Sequence, residues 1–193
     1  SIMGAAFIYQ CKPDKKEIYI IHKIWAKAYS TQTGVIYWDD VNELYCVGLD
    51  DGRVYVYKPI PKTHYLKMNQ FCELTFHTDR IMGLGLEPKS YILYSCSTDR
   101  TFFATDLSKI PPDNMLINTS ISGYTNMELD VPNQRIFLTN ETGELSVYSL
   151  KTYPPILVRN LQTSSLSSIR AFHVDYKNSY IFNLKFYNIY NNK

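Results

Sequence analysis

At 193 residues, 45% of them hydrophobic, the chain can bury a sizeable core and is too apolar to be wholly disordered. Twenty Lys and Arg against 18 Asp and Glu leave a formal net charge of +2 with no run of five like charges, so direct nucleic-acid binding is not indicated. Cys11, Cys46, Cys72 and Cys96 are spaced for neither a zinc site nor a disulfide framework, there is no 18-residue apolar run and no secretion leader, and the expectation is a soluble cytoplasmic protein with reduced thiols.

Seventeen tyrosines and short apolar runs broken by Gly, Pro, Asn or Asp predict strands of four to seven residues. The chain opens on "SIMGAAFIYQ" and continues into "KEIYIIHKIWAKAY" (16–29), which is too rich in β-branched and aromatic residues for a helix and reads as a strand and its exit. Four stretches then line up: "VIYWDDVNELYCVG" from Val35, "IMGLGLEPKSYILYSCS" from Ile81, "TNMELDVPNQRIFLTN" from Thr125 and "IRAFHVDYKNSYIFN" from Ile169. In each, an apolar run reaches an acidic residue, then a polar turn, then a second apolar run. The acidic positions, Asp39, Glu87, Asp130 and Asp175, are 48, 43 and 45 residues apart.

A tight turn and a third strand follow in "DDGRVYVYK", "STDRTFFATD" and "NETGELSVYSL", with Asp51, Asp99 and Thr142 as equivalent turn positions and Tyr57, Thr105 and Tyr148 six residues further on. Within the first turn, Asp51 and Gly52 are expected to supply positive-φ positions. Fourth strands are expected at 72–77, 115–121 and 156–163. Four short strands in about 45 residues is the dimension of a propeller blade. Projecting the period backward puts "SIMGAAFIYQ" on the third strand of an earlier unit. The blades are then roughly 1–29, 31–77, 78–121, 124–163 and 167–181, a partial propeller over 1–181, with 182–193 an irregular, low-complexity tail. This amounts to about four blade equivalents, an incomplete ring: a fragment, a truncated product, or half of an assembly that another chain completes. Open blade faces and sheet edges predict poor solubility or oligomers for these residues alone.

The stretch "HTDRIMGLGLEPKSYILYSCSTDRTFFATD" (77–106) resembles a WD-repeat β-propeller unit. His77 matches the histidine of the family's Gly-His pair, with Phe76 in place of Gly, Ser95 matches the second-strand hydroxyl, Asp99 the turn aspartate, and Thr105-Asp106 stands for Trp-Asp. The resemblance implies an all-β WD-type propeller with a structural hydrogen-bonded network involving His77, Ser95, Asp99, Asp51, Tyr57 and Tyr148, weakened where the tryptophan is replaced. "ELYCVGLDDGRVYVY" and "MELDVPNQRIFLTNETGELSVYSL" are similar to the propeller of WD-repeat-and-FYVE proteins, endosomal adaptors that bind phosphatidylinositol 3-phosphate, although the Cys-x-x-Cys pairs of the lipid-binding FYVE part are absent from this chain. The family's partner-binding surface maps to a rim holding Asp79, Arg80, Tyr124, Asn126, Ser167 and Arg170, with Asp50, Thr98 and Glu141 beside them.

The residues offer little chemistry of other kinds. "LDDGR" lacks the alternating oxygens and distal Glu of a calcium loop. "GLGLEP" alternates as a strand and opens no helix, so it is no nucleotide loop. There is no Gly-x-Ser-x-Gly elbow and no Cys beside His. His173 falls on a first strand and reads as a packed residue. The expectation is a non-catalytic, cofactor-free scaffold for other proteins, endosome-associated and reaching phosphoinositide membranes only through a module outside this chain. The alternatives are a structural subunit of a large assembly, and an enzyme or RNA-associated factor whose active module lies elsewhere.

Overall fold

A computed structural model describes residues 5–15, 17–25, 33–63, 67–162, 168–175 and 180–185. Apart from one 3₁₀ turn, Pro13–Lys15, their regular structure is all β. The strands are β1 (Ala5–Lys12), β2 (Glu17–Trp25), β3 (Thr33–Asp39), β4 (Leu44–Leu49), β5 (Val54–Pro59), β6 (Met68–Leu74), β7 (Ile81–Glu87), β8 (Ile92–Ser97), β9 (Thr101–Asp106), β10 (Asp113–Thr119), β11 (Tyr124–Asp130), β12 (Arg135–Asn140), β13 (Glu144–Ser149), β14 (Ile156–Gln162), β15 (Ile169–Asp175) and β16 (Tyr180–Lys185). Sequential neighbours pair in three four-stranded meanders, β3–β6, β7–β10 and β11–β14, and in two two-stranded sheets, β1-β2 and β15-β16. Two compact units hold these sheets, Ser1–Ile81 and Met82–Lys193.

The acidic beat of the sequence closes the turn between first and second strands. Asp39 Oδ2 accepts the Asn42 backbone N–H at 2.9 Å, Glu87 Oε2 accepts the Ser90 hydroxyl at 2.6 Å, and Asp130 Oδ1 accepts the Asn133 N–H at 3.2 Å. A short side-chain acceptor placed just before a turn satisfies donors that the ladder leaves behind. Each turn ends on a non-glycine residue in the left-handed region, Glu43 (φ 54°), Tyr91 (φ 62°) and Gln134 (φ 53°), four positions after the acid.

The turn between second and third strands also repeats. Gly52, Arg100 and Gly143 donate their N–H groups to the carbonyls of Leu49, Ser97 and Asn140, and all three have positive φ, at 87°, 74° and 81°. Only Gly52 of the Asp51-Gly52 pair is left-handed, because this is a turn with one left-handed residue at its end rather than a two-residue hairpin with two. The Asp51 carboxylate instead accepts the Arg53 backbone N–H at 3.2 Å and its guanidinium Nε at 2.8 Å. Asp99 does the same for the Thr101 N–H at 2.8 Å. Where Thr142 replaces the aspartate, Asn140 Oδ1 takes over, accepting the N–H groups of Thr142 (3.1 Å) and Glu144 (3.0 Å).

Boundaries differ from expectation: β10 spans Asp113–Thr119 rather than 115–121, β6 begins at Met68 rather than at 72, and two further differences have a visible cause. The first outer strand is β6, which ends at Leu74 rather than running to His77. The reason is visible at Gly52, where an added Cβ would stand 2.4 Å from the His77 carbonyl oxygen: the chain leaves the sheet to cross this turn. At the other end β16 runs four residues into the stretch expected to be irregular, because β15 supplies a ladder partner as far as Lys185, opposite Ile169.

In the second unit the middle strands are covered on both faces. Ile136 and Leu138 of β12 pack with Tyr94, Phe102 and Met127, while Phe137 between them packs with Val147, Ile169 and Phe172. This explains why second and third strands read as near-continuous apolar runs rather than as alternation. The first unit has its own cluster of Tyr45, Val47, Leu49 and Tyr55.

Candidate interaction rim

Within each unit, the loop leading into a first strand lies across the preceding turn between second and third strands. In the first unit Arg80 Nε stands 3.1 Å from Asp50 Oδ1, and the Arg80 side chain passes 3.5 Å from where a Cβ on Gly34 would be. Asp79 accepts the Arg80 N–H at 2.7 Å, and both residues are exposed. In the second unit Gly123 holds the phase of Arg80 and meets the preceding turn, where an added Cβ would lie 2.9 Å from the Thr98 carbonyl oxygen. Its carbonyl accepts the Glu141 N–H at 3.0 Å, and Ser120 Oγ accepts Asn140 Nδ2 at 3.1 Å. Glu141 is exposed and Thr98 half-buried. Mixed charge on turns held by rigid strands is a surface suited to contacts with other macromolecules.

Two expected rim residues are placed elsewhere. Tyr124 is the first residue of β11 and is buried in the core beside Met127 and Tyr148, because β11 begins before the loop was expected to end. Asn126, the third residue of β11, is half-buried with its Oδ1 accepting the Met127 N–H. Arg170 is the second residue of β15, and Ser167 lies outside the described residues. His173, expected to be packed, is exposed with Nδ1 3.3 Å from Glu128 Oε1.

The positions expected to match the family's tryptophan hold Tyr57, Thr105 and Tyr148. Tyr148 is buried, its ring 5.2 Å from Phe102, and its phenol belongs to a polar group with Tyr124 and Asn118, whose Nδ2 donates to the Tyr124 hydroxyl at 3.1 Å. Burial pushes the Tyr148 phenol up to about 12, and burial also pushes half-buried Tyr57 up to about 12. His77 (first unit) and Ser95 (second unit) are both buried. Thr105, in the tryptophan's place, is fully buried and its hydroxyl has no hydrogen-bond partner among the described residues. Replacing it with isosteric valine removes an unsatisfied polar atom. Thr105→Val is expected to stabilise by ~1 kcal/mol, read as a rise of roughly 2–4 °C in the melting temperature.

The thiols of Cys46, Cys72 and Cys96 are held in their protonated, weakly nucleophilic form. Burial raises Cys46 and Cys96 far above the usual thiol range and pushes Cys72 up to about 11. The carboxylates of "LDDGR" are engaged by arginines, Asp50 by Arg80 and Asp51 by Arg53. No helix among the described residues is long and apolar enough to cross a membrane. Sequence reasoning missed one surface: outer strand β14 exposes Ile156, Leu157, Val158 and Leu161.

No family model and no curated protein matches the sequence. Among solved structures 687 chains match, so the fold is a common one and does not by itself select a function. A WD40-propeller chain from the crystal structure of the mitotic checkpoint complex matches with a TM-score of 0.67 at 15% identity, over 91% of this chain and 51% of that one. The chain thus spans about half the length of that solved chain. The likeness and the five sheets together establish an all-β fold of the WD-type propeller, with three whole blades and two half-blades among the described residues.

Proposed function

We propose that this chain is a non-catalytic scaffold that binds other proteins through the rim of lead-in loops and second-to-third-strand turns. The observation that carries this reading is the Arg80–Asp50 pair, set with exposed Asp79 on a rigid turn. Repetition of the same stacking at Gly123 and Thr98 gives the rim a regular base. The solved chain of like fold is part of a multiprotein complex, which agrees with protein partners. Cytoplasmic location rests on the cysteine spacing and the sequence pattern, and an endosome-linked adaptor role on the sequence resemblance alone; any phosphoinositide contact would come through a module outside this chain.

The test is proximity labelling in cells, comparing the native protein with an Asp79→Lys, Arg80→Glu variant. An exposed ion pair contributes at most about 1 kcal/mol, so thermal unfolding should be nearly unchanged. At least one group of partners is expected to fall by about tenfold in enrichment, which corresponds to ~1.4 kcal/mol of binding. Equal enrichment of every partner by both proteins would overturn the reading.

A further inference from the structure

The chain carries two Asn-x-Ser/Thr sequons, Asn118-Thr119-Ser120 and Asn140-Glu141-Thr142, and both fall within the second unit. The side-chain amide nitrogen of such an asparagine is the acceptor of an N-linked glycan, a modification suited to an accessible loop. Neither asparagine lies in one. Asn118 is on outer strand β10, and Asn140 is the last residue of β12.

Asn140 is only 2% exposed, and both ends of its amide are committed. Nδ2 donates to Ser120 Oγ at 3.1 Å and to Glu144 Oε2 at 2.6 Å. Oδ1 accepts from the Thr142 hydroxyl at 2.9 Å and from the Thr142 and Glu144 N–H groups at 3.1 and 3.0 Å. The two sequons are thereby joined: the hydroxyl of the first, on Ser120, accepts from the amide of the second, and the hydroxyl of the second, on Thr142, donates to its own asparagine. Asn118 is half-buried, with Nδ2 donating to the hydroxyl of buried Tyr124 at 3.1 Å.

We propose that N-glycosylation and the native fold of the second unit exclude one another, so that both sequons are structural positions and not sugar sites. Transfer from a lipid-linked oligosaccharide forms a bond between Nδ2 and the first sugar carbon, releases the lipid diphosphate as leaving group and removes one Nδ2 proton. At Asn140 both Nδ2 hydrogens are in use, so one buried hydrogen bond is lost and the sugar must displace Ser120 or Glu144. At half-buried Asn118 the sugar crowds the contact with Tyr124, a lesser obstacle, so Asn140 is the main one. A chain made in a compartment that transfers glycans is modified as it emerges, before this unit closes. Folding of the unit therefore calls for synthesis where that transfer does not take place, and the cytoplasmic location proposed above gains a structural reason.

The test synthesises the full 193-residue chain in a cell-free extract, once as it stands and once directed into microsomes by a cleavable leader. Endoglycosidase-sensitive forms are expected only in the microsomes, and limited proteolysis should degrade them at least about tenfold faster than the leaderless chain. Blocking assembly of the lipid-linked oligosaccharide should restore resistance in the same microsomes. A glycosylated form as resistant as the leaderless chain would overturn the proposal. So would a blocked sample that stays sensitive, because the lumen and not the glycan would then prevent folding. Asn140→Asp supplies a second measurement, since it keeps the acceptor and replaces the Nδ2 donor by oxygen beside Glu144. A fall of roughly 10 °C in the melting temperature is expected, and an unchanged value would overturn the structural role of that nitrogen and the proposal with it.

Discussion

Gly83→Ala is expected to destabilise the second unit by about 3 kcal/mol, seen as a fall of roughly 10 °C in the melting temperature. An alanine Cβ at this position on β7 would lie 2.3 Å from the Met127 Cβ, 3.1 Å from the Met127 backbone nitrogen and 3.0 Å from the Cys96 sulfur. Neither Met127 atom can be moved by a rotamer change, so β7 and β11 must separate or one must shift along the other. In a close-packed interior that loses contacts along the whole seam. Gly85→Ala is the internal comparison: there the contacts are the Leu129 Cβ at 3.0 Å and Cδ2 at 3.2 Å, and the milder overlap should cost about 1 kcal/mol. A double-mutant cycle separates the clash from any intrinsic effect of alanine. In a Met127→Gly background the Gly83→Ala penalty should fall below about 1 kcal/mol, although that background is itself destabilised by the lost methionine. A penalty at Gly83 no larger than at Gly85 would mean that the two first strands are not in this close contact.

Much of this architecture is legible in the sequence because its turns are local. An acid followed four residues later by a left-handed position, and a hairpin ending in a left-handed residue, are written in short segments that the chain repeats. What neighbouring segments contribute is not written there. Ile36 and Trp38 have the same pattern as Leu84 and Leu86, yet the first pair is exposed and the second buried, a difference that the local pattern does not carry. Tyr124 has the composition of an interface anchor, and its place in the core follows from β11 starting one residue after Gly123. The Gly52 turn shows the same limit: Asp-Gly signals a hairpin, but only the approach of His77 shows why the turn is closed by a glycine and why β6 ends early.

Asp130→Ala should be comparably damaging, at about 3 kcal/mol, for a different reason. The carboxylate is fully buried and accepts from the Asn133 backbone N–H at 3.2 Å, the Asn133 side-chain amide at 2.9 and 3.0 Å, and Arg135 Nε and Nη2 at 3.2 and 2.9 Å. It thereby holds the turn in which Gln134 N–H reaches the Val131 carbonyl at 3.1 Å, with Pro132 pre-set for the bend and Gln134 forced to positive φ. Two contributions can be told apart. Arg135 is 42% exposed, so its ion pair is screened and should supply no more than about 1 kcal/mol, the loss expected of Arg135→Gln. Asp130→Asn keeps an acceptor for the backbone N–H and loses the charge, so it should resemble Arg135→Gln rather than Asp130→Ala. If thermal unfolding instead ranks Asp130→Asn with Asp130→Ala, the ion pair and not the turn acceptor is the main contribution. The wider consequence lies in the repeat. Asp39 occupies the same phase, is also buried and caps its turn through Asn42, so Asp39→Ala should destabilise the first unit in the same direction. In the three whole blades, the acid that marks the period in the sequence is then also the group that holds the first turn closed.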